Sequence, residues 1–338
     1  MAVTVALDAM GGDHAPQMVV EGAVRSRNLN PDANYILVGR EDRIREQLER
    51  LRVPEDAFRI QPATQVVGMA EKPSVALRTK KDSSLRVGAN LVKSGAADVL
   101  VSAGNTGALM ATAKFVLKTL PGIDRPAIAS LLPNVSGQTL MLDLGANVDC
   151  TAEHLCQFAL MGEVYAASVL HLKHPRVGLL NIGQEEMKGN EVVREAGERF
   201  RDILSNYVGN VEGTDIFLGG ADVVVCDGFV GNVSLKSTEG VAQMLTRFLR
   251  EAFNHSLLTR LGYLVARPAL KRFRARVDHR KYNGAMLLGL NGVVVKSHGS
   301  ADAFAYSHAI QVAIELVANR VNDKIRSEVA KIHGARGV

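Results

Sequence analysis

The chain has 338 residues and a formal net charge of +5, with 47% hydrophobic and 22% charged residues, the proportions of an ordinary globular protein. Its apolar runs are short, about four to eight residues, where a membrane-crossing helix needs roughly twenty. Aromatic residues make up only 5%, tryptophan is absent, and no known nucleic-acid motif occurs. These features argue against a nucleic-acid partner, while the positive charge leaves acidic protein, anionic lipid and phosphate open.

From Met1 the chain passes directly into an apolar run at 3–7 that predicts a buried strand. The basic and apolar regions of a secretory signal are missing there, so the expected location is inside the cell. The glycine-rich stretch Asp8-Ala-Met-Gly-Gly-Asp-His-Ala-Pro16 follows, and then a helix beginning with proline at its first position. The same strand, loop, helix order recurs at 35–38 before a charged helix over 41–51, and at 98–102 before a helix over 106–118. Further strands are predicted at 138–142, 177–182 and 222–226, each followed by a loop containing glycine or asparagine. Such alternation predicts an α/β protein, a mainly parallel sheet covered by helices on both faces. In such sheets the loops leaving the strand carboxyl ends gather along one edge, where ligands bind. The expected unit is one domain over 1–338, since no low-complexity linker divides the chain.

The loops that would meet at that edge contain Gly11, Gly12, Asn105, Thr106, Asn147, Lys188, Asn232 and His298. Glycines admit an anion close to backbone amides, and a following helix N-terminus adds partial positive charge, so these loops suit phosphate. The spacing matches neither the dinucleotide fingerprint nor the nucleoside triphosphate loop. Any one of these loops is equally an ordinary turn. Lys188 either binds phosphate or is a solvated lysine. Asn232, Asn105, Thr106 and Asn147 either donate to a ligand or cap their helices. His14 can exchange a proton with phosphate or the leaving group, or make a structural hydrogen bond at the helix start. His298 has the same chemistry, or braces the final helix. Asp8 and Asp13 can orient His14 or Lys188. The odd cysteine count, Cys150, Cys156 and Cys226, with no C-x-x-C pair, suggests neither a disulfide framework nor a zinc site. No cofactor or metal is expected.

Three segments in this order, Asp8 to Pro16, Ser102-Ala-Gly-Asn-Thr-Gly-Ala-Leu-Met110 and Leu144-Gly-Ala-Asn-Val-Asp149, resemble the signature of the phosphate acyltransferases of bacterial phospholipid synthesis. The likeness continues through Gly122-Ile-Asp-Arg-Pro-Ala127, Lys188-Gly-Asn-Glu191, Asp227-Gly-Phe-Val-Gly-Asn232 and Ser297-His-Gly-Ser300, with Ser297 where that pattern has alanine. It implies the fold of phosphate acetyltransferases and of isocitrate and isopropylmalate dehydrogenases. It also implies an enzyme that makes acyl phosphate from inorganic phosphate and long-chain acyl-(acyl carrier protein), the product feeding a membrane glycerol-phosphate acyltransferase. Phosphate is itself the nucleophile in that reaction, so no Ser/His/Asp or Cys/His arrangement is required. Catalytic roles fall to Lys188, Asn232 and His14, and phosphate contacts to Gly11, Gly12, Asn105, Thr106, Asn147 and His298. A short-chain acyl-coenzyme A:phosphate transferase and a catalytically silent scaffold that binds acyl carrier protein are the competing readings.

Residues 255–282 break the rhythm, with eight Lys or Arg against one acid, Asp278. Leu257, Leu261 and Leu264 follow helical spacing, and Pro268 predicts an interruption, hence a helical hairpin or two short helices. Arg260, Arg267, Lys271, Arg272, Arg274 and Arg276 suit anionic headgroups while the leucines enter the interface. A dimerisation arm explains the same pattern. The resemblance implies both a homodimer and peripheral attachment to the membrane.

Overall fold

The computed structural model describes residues 2–277 and 279–335. The first half of the chain runs β1 (Thr4–Asp8), α1 (Gln17–Leu29), β2 (Asn34–Gly39), α2 (Glu41–Arg50), β3 (Arg59–Pro62), α3 (Pro73–Thr79), α4 (Ser84–Lys93), β4 (Val99–Ser102) and α5 (Thr106–Leu117). Then come β5 (Ala127–Pro133), β6 (Gln138–Leu142), α6 (Ala152–Val169), β7 (Val177–Leu180), α7 (Glu191–Ile203), β8 (Tyr207–Val211), α8 (Asp215–Leu218) and β9 (Val223–Val225). A long pair, α9 (Gly228–Asn254) and α10 (Leu257–Val277), precedes β10 (Ala285–Leu288), β11 (Val293–Lys296), α11 (Ala303–Ala318) and α12 (Val321–Ala335). The loop at 297–302 therefore precedes two helices rather than one.

All eleven strands join one sheet in the order β3-β2-β1-β4-β11-β10-β5-β6-β9-β7-β8. Side chains alternate along each strand. Val5, Leu7, Val99 and Val101 enter one apolar cluster with α1, α6 and α11, while Ala6, Leu100 and Val294 enter another with α4 and α5. The result is the expected three-layer α/β/α arrangement.

The sheet departs from the expectation in one decisive way. β10 is antiparallel to both β11 and β5, and β5 is antiparallel to β6. Three reversals in a row turn the block β6-β9-β7-β8 against the block β3-β2-β1-β4-β11, each block being parallel within itself. The loops do not share one edge: those after β1, β4 and β11 leave one side, and those after β6, β7 and β9 leave the other.

The segment at 255–282 also differs from its expectation. α10 continues through Pro268 as one helix, and its partner in the hairpin is α9. The bond that proline removes would have gone to the Leu264 carbonyl, on a helix turn open to solvent, so water can take its place, although the ring still crowds that carbonyl. Ser256 and Thr259 tie the turn, Thr259 Oγ1 donating to the Phe253 carbonyl at 3.1 Å, and Phe253 packs edge-on to Tyr263. Leu257, Leu258, Leu261, Leu264 and Val265 are all exposed. Arg274 and Arg276 lie beyond the residues whose side chains are described, and Asp278 lies outside the described residues. No helix among the described residues is long and apolar enough to cross a membrane.

Candidate active site

At the first edge a buried polar knot underlies the glycine loops. Asp8, 2% exposed, ends β1 and accepts Ser102 Oγ at 2.7 Å; Ser102 Oγ in turn accepts the Gly104 amide at 3.0 Å. A β-carbon on Gly11 would lie 2.5 Å from Asp8 Oδ2 and 2.7 Å from the Gly104 nitrogen. Gly11 is thus required for close packing of the two loops. Gly12 has φ of +109°, a left-handed conformation costly to other residues. The Asp13 amide donates to the Gly299 carbonyl at 2.9 Å, closing the loop after β1 onto the loop after β11.

Lys296, at the end of β11, is 8% exposed and donates to the carbonyls of Ala103 and Ser297. Burial pulls its ammonium down to about 8, against the stabilising charges of Asp8 and Asp13. Burial pushes the Asp8 carboxyl up, opposed by its bonds to Ser102 and Ser84 and by Lys296. Asp8 therefore serves Ser102 and Lys296, not His14 or Lys188. His298, next along, accepts the Ser300 amide on Nδ1 at 3.3 Å, which leaves the proton of the neutral ring on Nε2. Burial of part of the ring lowers its pKa; Lys236 and Lys296 lower it further, and Glu239 and Asp13 oppose them.

At the second edge Asp143 organises the loop after β6, accepting the amides of Ile128 at 2.9 Å, Ala146 at 3.1 Å and Asn147 at 2.7 Å. Asn147 is buried and spends its side-chain amide on the Pro126 carbonyl and Asp143. Asn105 is likewise committed: its oxygen caps α5 at the Ala108 amide, and its nitrogen donates to the carbonyls of Gly68, Met69 and Glu71. Thr106 is the exposed first residue of α5. Asn232 is no cap. Asp227 caps α9, accepting the Val230 amide at 2.8 Å, which leaves Asn232 exposed in the second turn against Gly145. Lys188 is exposed in the loop before α7, its carbonyl held by Asn181 Nδ2 at 3.1 Å, and Asn190 caps α7. His14 is exposed in the loop after β1.

The two edges communicate through α9. Asn232 faces the loop after β6, and Lys236, four residues on and hence about 6 Å away on the same face, lies within electrostatic reach of Lys296 and His298. Asn232, Lys236, Lys296 and His298 thus fall in one neighbourhood of mixed charge, in which Lys236 pairs with Glu239 at 2.8 Å and Asp8 and Asp13 act on Lys296. Gly11 and Gly12 shape the loop after β1, while Asn105 and Asn147 spend their side chains on internal hydrogen bonds. Lys236 and Lys296 were not among the sequence candidates. In sequence Lys296 ends the run Val293–Lys296, where a lysine reads as a solvated strand end, and only the covering loops bury it.

Solved structures share this fold. The phosphotransacetylase of Streptococcus pyogenes shares the fold, with a TM-score of 0.63 at 20% identity over 94% of each chain. The phosphotransacetylase of Staphylococcus aureus gives 0.59 at 17% identity over 95% of this chain and 94% of that one. The 4-hydroxythreonine-4-phosphate dehydrogenase of Klebsiella pneumoniae gives 0.55 at 13% identity, covering 94% of this chain and 100% of that one. Sequence narrows the class further. The family model described as "Fatty acid synthesis protein" matches residues 3–324. A phosphate acyltransferase of Magnetococcus marinus is 64% identical over 337 residues, 98% of this chain and 96% of that one. One from Methylococcus capsulatus is 55% identical over 336 residues, 99% of both. The chain belongs to this phosphate acyltransferase family of fatty acid synthesis proteins.

Proposed function

We propose that the protein transfers a long-chain fatty acyl group from acyl-(acyl carrier protein) to inorganic phosphate by direct attack of phosphate on the thioester. The observation that carries this reading is the buried Lys296, with Lys236 and His298 within its electrostatic reach and Asn232 one helix turn from Lys236. Cations and neutral donors converging at a partly desolvated site hold an anion and stabilise charge that develops during reaction. An oxygen of hydrogen phosphate attacks the carbonyl carbon, the carbon–sulfur bond breaks as the tetrahedral intermediate collapses, and the phosphate proton ends on the leaving thiolate. Acyl phosphate and the free carrier thiol are the products.

Within this reading Lys188 and Lys296 balance the charge of phosphate, the Asn232 amide donates to the oxyanion, and His298 Nε2–H or His14 handles the proton. An acyl-cysteine intermediate is disfavoured: burial, with the charges of Asp143 and Asp227, pushes the Cys150 thiol up to about 11 and the Cys226 thiol well above its ordinary value. Neither supplies thiolate at neutral pH. The net positive charge of the chain favours encounter with an acidic carrier protein. The exposed leucines of the α9–α10 hairpin, with Arg260, Arg267, Lys271 and Arg272, suit a homodimer contact and an anionic membrane surface. Peripheral attachment there would deliver acyl phosphate to a membrane glycerol-phosphate acyltransferase.

The test is to offer acyl-(acyl carrier protein) and acyl-coenzyme A separately with phosphate and to measure acyl phosphate. Turnover confined to coenzyme A donors would move the reading to the short-chain enzyme. No acyl phosphate from either donor, with carrier binding intact, would move it to a scaffold. Lys188→Ala and Asn232→Ala are each expected to lower turnover about 10²-fold; wild-type turnover and phosphate KM in both would remove those roles.

A further inference from the structure

Where β7 and β9 end between α6, α7 and α9 lies a pocket of about 150 Å³. Leu155, Leu179 and Val193 line it, with the exposed Ile182 and Val230 and the polar Asn190 and Asp227. One side-chain oxygen of each polar residue is already committed. Asn190 Oδ1 accepts the Val193 amide at 2.9 Å and Asp227 Oδ1 accepts the Val230 amide at 2.8 Å. What the walls present is hydrocarbon, so the occupant that fits is hydrocarbon. The position is equally restrictive: Lys188 directly precedes Gly189, which lines the pocket, and Asn232 lies two residues beyond Val230. A thioester carbonyl placed between Lys188 and Asn232 has this pocket at its side.

Resting on the function proposed above, we infer that this pocket receives the first carbons of the acyl chain and grades donors by their length. An apolar cavity of about 150 Å³ holds one benzene molecule, so the pocket takes about six carbons. The remaining chain leaves over Ile182 and Val230, both exposed apolar residues at the mouth. Each methylene placed in the pocket contributes about fourfold in kcat/KM. The series therefore climbs up to about six carbons and flattens beyond.

The experiment measures kcat/KM for acyl phosphate formation with saturated acyl thioesters from about two to about sixteen carbons, a span wide enough to show methylene increments. Wild type is compared with Val193→Phe, which fills the pocket, and with the milder Val193→Met, both checked for folding by circular dichroism. Support is a wild-type break near six carbons that moves to shorter chains in either variant, with the two-carbon donor unchanged. A wild-type series that climbs evenly to the longest donor overturns the assignment. So does an equal loss at every chain length in the variants, which would place the pantetheine arm in the pocket. Failure of the wild type to form acyl phosphate from any donor sinks the underlying reading instead, and that result needs no variant.

Discussion

Two glycines of one helix make opposite predictions under the same substitution. Gly231 sits in the first turns of α9, and a β-carbon there would lie 1.8 Å from the Asp143 carbonyl oxygen and 3.0 Å from Cys226 Sγ. Asp143 cannot retreat, because its carboxylate is held by the amides of Ile128, Ala146 and Asn147. The helix must move instead. Overpacking against fixed backbone costs about 3 kcal/mol, which for a chain of this length lowers the thermal midpoint by about 4 °C. A shift of about 1 Å at Asn232, one residue on, lowers turnover about 10²-fold if that amide contacts the reacting atoms. Gly240, further along α9, has nothing within 4 Å of its would-be β-carbon. Gly240→Ala is expected to stabilise by about 0.5–1 kcal/mol through reduced backbone freedom in the unfolded chain. Circular dichroism melts and acyl phosphate assays on both variants decide the matter. Gly231→Ala with wild-type midpoint and turnover would refute the close packing of α9 on the loop after β6.

Four further outcomes are expected. Between pH about 8 and 10.5 the folded protein has lost the Lys296 proton while the unfolded chain keeps it, so stability from this group rises with pH across that window, by up to about 3 kcal/mol. Phosphate affinity moves the other way, its KM rising above pH about 8 as the ammonium is lost; a KM independent of pH up to 10 would show that Lys296 does not face the anion. Activity is expected to survive removal of divalent ions by chelator, and strict magnesium dependence would contradict this. Sedimentation with anionic vesicles is expected to fall in Leu258→Glu combined with Leu261→Glu, and unchanged binding would refute docking through α10.

The legible part of the fold is what local rules determine. The strands of the parallel blocks follow from short apolar runs, and the Asn105 cap from a polar residue ahead of a helical pattern. The reversal of the sheet was not legible. β5 and β10 are short apolar runs like any other, and their antiparallel pairing depends on partners far away in sequence. Asn232 was placed one turn too early because Asp227 and Asn232 are both competent caps, and only the coordinates show that Asp227 takes the Val230 amide. The continuity of α10 is not legible because an interior proline predicts a break, and nothing local shows that this helix runs through Pro268.

Conversely, the glycine-rich opening was read as an anion cradle, and most of its residues turn inward. Gly11 packs under Gly104, Asp8 binds Ser102, and Gly12 makes the turn that brings Asp13 to Gly299. Together with the turn after β4, these contacts form the cover over Lys296. A lysine at a strand end is normally solvated and carries its full charge at any physiological pH. Covered by two tight loops, it lies below its ordinary pKa and next to a carboxyl that burial raises. An incoming phosphate dianion would favour the charged ammonium, so binding the anion would offset the desolvation cost of charging Lys296, while it would add to the burial that already raises the Asp8 carboxyl. Under the proposed function the glycines would act on phosphate indirectly, by keeping a desolvated cation beneath the two loops.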